Sequence, residues 1–411
     1  MKFIRAILPF LFIHFSGFAQ FSHEVYSDWE GGNAIGVFGR YQIASNALSA
    51  SMINAIYSGN DLSRDLRQAT SDRLSSSNRM GLDGDFGLYY RHLPDSSKGI
   101  GYFVRIADRY HAHGTFSADL LNVAMFGNAR FAGKTANLGD ASATYLQYKQ
   151  YELGILKTWK KPKATWKFGF GLSLLTGNQS LVADFPEGSL YTDRDGEYLD
   201  IILNGSVQTS SIASAQYFDA NGWGFSASGH LGMQAEKFGW KFQFDDIGLI
   251  SWGQHLKRHD FDTVARFEGA NLDLFADDPL ASVNLDSITQ KMITTTDGDS
   301  YVAAIPGSIR LEGSYALNAK QWKLYAGVHH RFASGYFPLI YLGTSASLPK
   351  RFFIDGRFAY GGFGSWNIGL ELRKNFAGHF AIRAGTYNLE GFILPDFGMG
   401  QSAFVGFSGY F

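Results

Sequence analysis

Apolar and polar side chains alternate with period two over long stretches of this chain. From 80 to 91, Leu82, Gly84, Phe86, Leu88 and Tyr90 share one face, while Asp83, Asp85, Gly87 and Arg91 share the other. Such alternation marks a strand with one apolar and one polar side. Strands of soluble sandwiches cluster near about 5–6 residues, whereas a tilted strand crossing a bilayer needs about 9–11. The pattern recurs in fourteen segments: 46–58, 80–92, 99–113, 143–159, 163–176, 222–235, 238–252, 307–317, 322–334, 336–347, 351–362, 364–374, 379–389 and 400–411. An even number suits a single-chain bacterial barrel.

The polar faces carry mostly Gly, Ser, Asn and His, with a few charges of both signs. Bulk water would favour long Lys and Glu; small residues suit a crowded concave lumen. Connections alternate as well. Those at 93–98, 160–162, 236–237, 318–321, 348–350 and 375–378 are short, and those at 59–79, 114–142, 177–221 and 253–306 are long. Short periplasmic turns and long outside loops belong to outer-membrane barrels. The pattern therefore predicts an all-β fold: a transmembrane antiparallel up-and-down β-barrel of about fourteen strands, with short helices in the extracellular loops.

Composition narrows the functions. The 411 residues hold 36 Lys+Arg against 37 Asp+Glu, no Cys, 16% aromatics and only 18% charged residues. Balanced charge removes the electrostatic case for a nucleic-acid partner. Without cysteine there is no disulfide framework, thiolate metal site or cysteine nucleophile. Lys2 and Arg5 precede the apolar run 6–15 and the small-x-small pattern Gly17-Phe18-Ala19, which reads as a secretory signal peptide over 1–19 cleaved after Ala19. Residues 20–45 are expected to form a periplasmic or lumen-plugging segment, with Ile35, Val37 and Phe38 as the plug, or else a disordered leader. The barrel is expected over 46–411.

Trp159, Trp166, Trp223, Trp240, Trp252, Trp322 and Trp366 fall near strand ends, as an interfacial girdle requires. Outside the wall, Leu62, Leu66, Ala69 and Leu74 predict an amphipathic helix within 61–75. Phe116, Leu120, Val123, Ala124 and Gly127 predict another within 116–132, N-capped by Ser117 and buried in the barrel mouth or against another loop. The connection 253–306 carries an acidic patch at Asp273, Asp277, Asp278 and Asp286.

The lumen-lining candidates are Asp83, Asp85, Arg105, Arg109, His111, His113, His230, Arg310, Glu312, His329, Arg331, Asp355, Arg357, Glu371 and Arg373. Their signs nearly balance, so they are expected to pair across strands, since unpaired charge in a narrow lumen is costly. His111 and His113 point the same way on one strand, yet a metal needs further ligands, and a hydrogen-bonded lining is expected instead. Asp193, Asp195 and Glu197 lack the spacing of a calcium loop, and Asp195-Gly196 reads as a hairpin tip. His230 with Ser226 or Ser228 is the nearest approach to a hydrolytic constellation, without a nucleophile turn. No enzyme activity, cofactor or metal is expected.

The runs DRYHAHGTFSADLLNVAMFGNARFAGKTANLGD (108–140), LYTDRDGEYLD (190–200), DIGLISW (246–252), AYGGFGSWNIGLELRKNF (359–376) and NLEGFILPDFGMGQSAFV (388–405) resemble an uncharacterised family of Bacteroidota outer-membrane barrels. The resemblance spans roughly 46 to 405 and implies no catalytic residue. The expected architecture is also similar to fatty-acid channels, in which the N-terminal piece plugs the lumen, and to attachment-complex barrels of type IX secretion. Fold does not fix function. The expectation is a cell outer-membrane channel for small or hydrophobic solutes; the alternative is a non-conducting structural barrel whose outer loops bind a secreted or membrane partner. Its implied partners are outer-membrane lipid, the barrel-assembly machinery during biogenesis, and a small hydrophobic ligand or secreted protein.

Overall fold

The alternation is realised as a closed wall. The computed structural model describes Val25 and residues 32–94, 99–210, 218–268, 293–317, 321–333, 335–376 and 379–411. The signal peptide with Ala19, Trp29, and the acidic patch Asp273, Asp277, Asp278 and Asp286 lie outside the described residues.

Strands are numbered in chain order. Fourteen antiparallel strands make the barrel. They are β1 (Gly32–Ser45), β2 (Asn78–Leu93), β3 (Gly101–Phe116), β5 (Ala141–Lys161), β6 (Ala164–Thr192), β8 (Gly222–Ala235) and β9 (Phe238–Trp252). The ring continues through β13 (Ser308–Leu317), β14 (Trp322–Arg331), β15 (Phe337–Leu348), β16 (Phe352–Gly362), β17 (Trp366–Phe376), β18 (Phe380–Thr386) and β19 (Gly400–Tyr410). It closes where β1 pairs with β19, in register from Ala34↔Tyr410 to Ala44↔Gly400. Closure leaves no open edge, the condition for strands to stand in hydrocarbon.

Outward side chains form the lipid-facing band. Leu153, Leu172, Phe225, Ile340 and Leu342 are each at least 60% exposed, an apolar surface that would drive aggregation in water. Trp159, Trp223 and Trp322 are exposed near strand ends, and Trp166 meets Trp240 edge-on at 5.9 Å. Trp252 departs from the expected girdle: it is fully buried inside the barrel, in a cluster with Leu146, Leu175, Ile250 and Ile305.

The first wall strand is not where the sequence pointed. Residues 32–45, expected as part of a plug or leader, form β1; Ile35 and Val37 face outward at 53% and 54% exposure, while Phe38 faces in. The segment 46–58, expected as a strand, contains helix α1 (Ala50–Tyr57). The Ser49 hydroxyl accepts the Met52 N–H and caps it, and buried Met52 and Ile53 hold its inner side. Strand count survives because one segment replaced the other.

Two expected helices are present: α2 (Arg64–Ser71) and α3 (Ala118–Phe126), the latter capped by Ser117 through the Leu120 N–H. They do not enter the lumen. Ile43, Leu82, Ala112 and Tyr145, on the same strand faces as the lipid-facing residues, are buried beneath α1, α2 and α3 in one apolar cluster.

The long connections 177–221 and 253–306 are partly strand. β6 is 29 residues long and runs past the barrel rim to pair with β7 (Leu199–Ser210), which pairs with β10 (Leu256–Phe267). Short strands β4 (Lys134–Asn137), β11 (Thr294–Asp297) and β12 (Tyr301–Ala304) attach to β6, β10 and β9. The turn 193–198 is the expected hairpin tip, with the Asp193 carboxylate accepting the Asp195 and Glu197 N–H groups. All this lies at the end of the barrel that carries the helices, called here the loop end; the opposite, short-turn end holds the start of β1 and the end of β19.

Candidate functional site

Inward residues fall into two tiers along the barrel axis. In the tier nearer the loop end, Asp85 on β2 is the hub. Arg40 on β1 contacts its carboxylate, Arg105 on β3 donates to it at 3.0 Å, and Arg109 lies 3.5 Å away. Arg109 also reaches Asp246 on β9 at 2.7 Å, and Arg105 lies 3.6 Å from Glu152 on β5. Gln150 locks the group: its carbonyl accepts from Arg105 at 3.1 Å and Arg109 at 2.8 Å, while its amide donates to Asp246 at 2.6 Å. Buried charges persist when ion pairs and hydrogen bonds link them in this way.

A second knot crosses the lumen. Asp83 on β2 accepts from His111 Nδ1 at 2.7 Å and forms an ion pair with Arg331 on β14. Counting around the ring, β14 stands seven places from β2, diametrically opposite. One arginine and one aspartate side chain span that interval only where the walls are pinched together. The space among these groups is about 40 Å³, room for a water or two and no larger solute.

Toward the loop end the barrel is also filled. Phe363, in the β16–β17 turn, lies over β2 at Gly81, where a Cβ would fall 2.1 Å from the ring. Arg79 donates to the carbonyls of Gly362 and Gly364 at 3.1 and 2.8 Å, tying that turn inward. On the other side the cluster around Trp252 packs against the inner faces of β5, β6 and β9.

The tier nearer the short-turn end is filled on one side and open on the other: Val25, from the segment before β1, packs inside the barrel with Phe38, Leu93, Phe103 and Leu156 of β1, β2, β3 and β5. A cavity of about 460 Å³ is lined by β6, β8, β9 and β13 to β19, and reaches Gln234 and Tyr410 near the strand ends. Glu312 meets Lys241 at 3.1 Å and accepts from the Tyr341 hydroxyl at 3.1 Å. Asp355 accepts from Tyr325, and Glu371 accepts from Tyr387 at 3.3 Å. Arg357 lies 4.0 Å from the Tyr387 ring centre.

The structure therefore splits the expected lumen residues. It brings Asp83, Asp85, Arg105, Arg109, His111, His113 and Arg331 into the pinched tier. His230, Glu312, Asp355, Arg357, Glu371 and Arg373 line the cavity, and Arg310 and His329 stand between the tiers. His111 Nε2 shares a hydrogen with His113 Nδ1 at 2.8 Å, so the pair is spent on mutual contacts and Asp83. Among the described residues no cluster of three or more His, Asp or Glu is placed to hold a metal. Beside His230, the Ser228 hydroxyl accepts the Asp246 N–H at 3.1 Å. Arg40, Gln150, Glu152, Asp246, Lys241, Lys323 and Arg383 were not anticipated as site residues. Arg383 follows the inward period of its strand and was readable there; Arg40 was not, for its strand β1 was not recognised, nor was Asp246, which sits on a bulge with φ of 56°.

Comparison with known proteins places no curated relative beside the chain; none matches. Among solved structures it is similar to the Ralstonia pickettii toluene transporter TbuX (9% identity, 93% of this chain and 90% of that one, TM-score 0.44). It is similar also to the Pseudomonas putida toluene transporter TodX (8%, 93% and 90%, 0.41) and to a Pseudomonas aeruginosa FadL homologue (9%, 92% and 90%, 0.39). Likeness at this level carries nothing about a solute. The model of the family described as "Family of unknown function (DUF5723)" matches residues 36–385, most of the barrel, and the chain belongs to that family.

Proposed function

We propose that this protein is an outer-membrane barrel for the passage of small polar solutes, closed at rest by the ion-pair tier. Short turns belong in the periplasm, so the wide cavity would open to the periplasm and the pinched tier would face outward. The observation that carries the reading is the charged and hydrogen-bonding lining of the wide cavity, bridged above by Asp83–Arg331 and Arg109–Asp246. A charged lining opposes apolar solutes, which would have to displace hydration without replacing its hydrogen bonds.

Such a tier is a gate rather than a wall, because its contacts are side-chain ion pairs that separate without breaking the strand ladder. Planar-bilayer recording tests this. Wild-type barrels are expected to conduct rarely, and Asp83→Asn/Arg331→Gln barrels to conduct more often, with the Arg109–Asp246 bridge and the packed loop end still restricting them. If both are equally silent across applied voltages, passage is refuted.

The sheet extension of β6, β7 and β10 supports a second reading, in which the outer surface serves to bind another molecule. Val264 on β10 is 83% exposed there, an apolar side chain beyond the wall strands. Copurification from native membranes with and without residues 199–267 tests it; a barrel emerging alone in both cases sinks it.

A further inference from the structure

Charge is unevenly divided between the tiers. In the pinched tier Arg40, Arg105, Arg109 and Arg331 meet Asp83, Asp85, Asp245, Asp246 and nearby Glu152, so the signs nearly cancel. The cavity is different. Lys167, Lys241 and Lys323 line it together with Arg310, Arg357, Arg373 and Arg383, against only Glu312, Asp355 and Glu371. Among the described residues, seven cations less three carboxylates leave an excess of four positive charges, with Arg310 shared with the pinched tier. Each carboxylate is already engaged, by Lys241 and Tyr341, by Tyr325, and by Tyr387 respectively. Low-dielectric walls focus the remaining field on whatever enters.

A second observation points the same way. Arg373 on β17 and Arg383 on β18 occupy directly opposed positions in the strand pair, both facing the cavity. Like charges so placed destabilise a sheet. The arginines are also laid on rings. Arg357 lies over Tyr387 at 4.0 Å, Arg373 over Phe353 at 5.3 Å and Arg383 over Phe404 at 5.5 Å, while Phe404 stacks on Tyr387 at 5.1 Å. Arg373 Nε donates to Asn375 at 2.9 Å. A guanidinium held on a ring presents its N–H groups edge-on, in the plane that suits a carboxylate or phosphate.

We infer that the cavity is a binding site for small multivalent oxyanions, compounds bearing two or more carboxylate or phosphate groups, with Arg373 and Arg383 as paired anchor. This deepens the passage reading by naming its solute class, and only the transport role rests on that reading.

The test is calorimetric titration of the full chain in neutral detergent at low salt, with tricarballylate and pyrophosphate as probes. Saturable binding is expected for at least one probe, and their relative affinities separate the carboxylate from the phosphate source. Arg373→Gln and Arg383→Gln are each expected to weaken it about tenfold or more, one charge-assisted contact's worth. Arg383→Lys, keeping charge without the fork, is expected to fall between, and Arg64→Gln on α2 to bind as wild type. Absence of saturable binding, or equal binding by the folded Gln variants, overturns the site. Conductance is read separately. Binding without conductance keeps the site and removes passage; conductance with no binding and no anion preference removes the site and keeps passage.

Discussion

Arg331 and Asp83 are 248 residues apart in sequence and stand on opposite walls of the barrel, yet their side chains form an ion pair. The pair is partly screened, at 14% and 23% side-chain exposure, and His111 shares the same carboxylate oxygen. It pins two walls that the strand ladder alone leaves free to separate.

Removing one partner is therefore expected to cost more than removing both. Asp83→Asn and Arg331→Gln, alone and together, are expected to show a coupling of about 0.5–3 kcal/mol in detergent unfolding. Strict additivity of the single effects denies the contact.

Gly81 sits where no side chain fits under Phe363. Gly81→Val is expected to lose about 1–3 kcal/mol by overpacking. Phe363→Ala in the same chain should recover most of the loss, read as denaturation midpoints. No recovery means the ring is not what Gly81 accommodates.

The helical cap depends on local capping. Ser49→Ala removes the acceptor of the Met52 N–H and is expected to cost α1 about 1 kcal/mol. Limited proteolysis within 46–77 should quicken while the barrel keeps its folded mobility on unheated gels.

Outside the membrane, the β7–β10 pairing is pH-sensitive at its outer end. Arg266 donates to both oxygens of Asp200 at 2.7 and 2.8 Å, and this hydrogen bonding holds the Asp200 carboxyl below its ordinary range; Arg258 does the same for Asp260. A lowered carboxyl contributes stability that is present above the ordinary aspartate range and lost as pH falls through the folded value. Hydrogen-exchange protection of 199–204 is expected to be flat from pH 7 to 5 and to drop below about 4. Asp200→Asn should abolish that drop.

How much of this was readable beforehand follows from what each feature depends on. Thirteen wall strands show themselves through local alternation, since lipid on one side and lumen on the other impose period two on every residue pair. β1 was missed because Phe38 faces inward between Val37 and Gly39, blurring its pattern, while 46–58 mimics a strand. The charged lining was legible as composition, but its partners were not. Asp246 reaches Arg109 only through the bulge that turns both Asp245 and Asp246 inward, and Arg331 reaches Asp83 only because the ring is pinched. Neither the bulge nor the pinch leaves a period in the sequence.

The central claim is that the cavity is closed toward the loop end by the ion-pair tier. The chain has no cysteine, so a single thiol at Ser345→Cys, on the cavity wall, reports access without background. Labelling by a membrane-impermeant maleimide from outside intact cells is expected to be slow, and to become fast once the periplasm is opened or when Asp83→Asn/Arg331→Gln is added. Rapid labelling of the otherwise wild-type barrel from outside would contradict the closure.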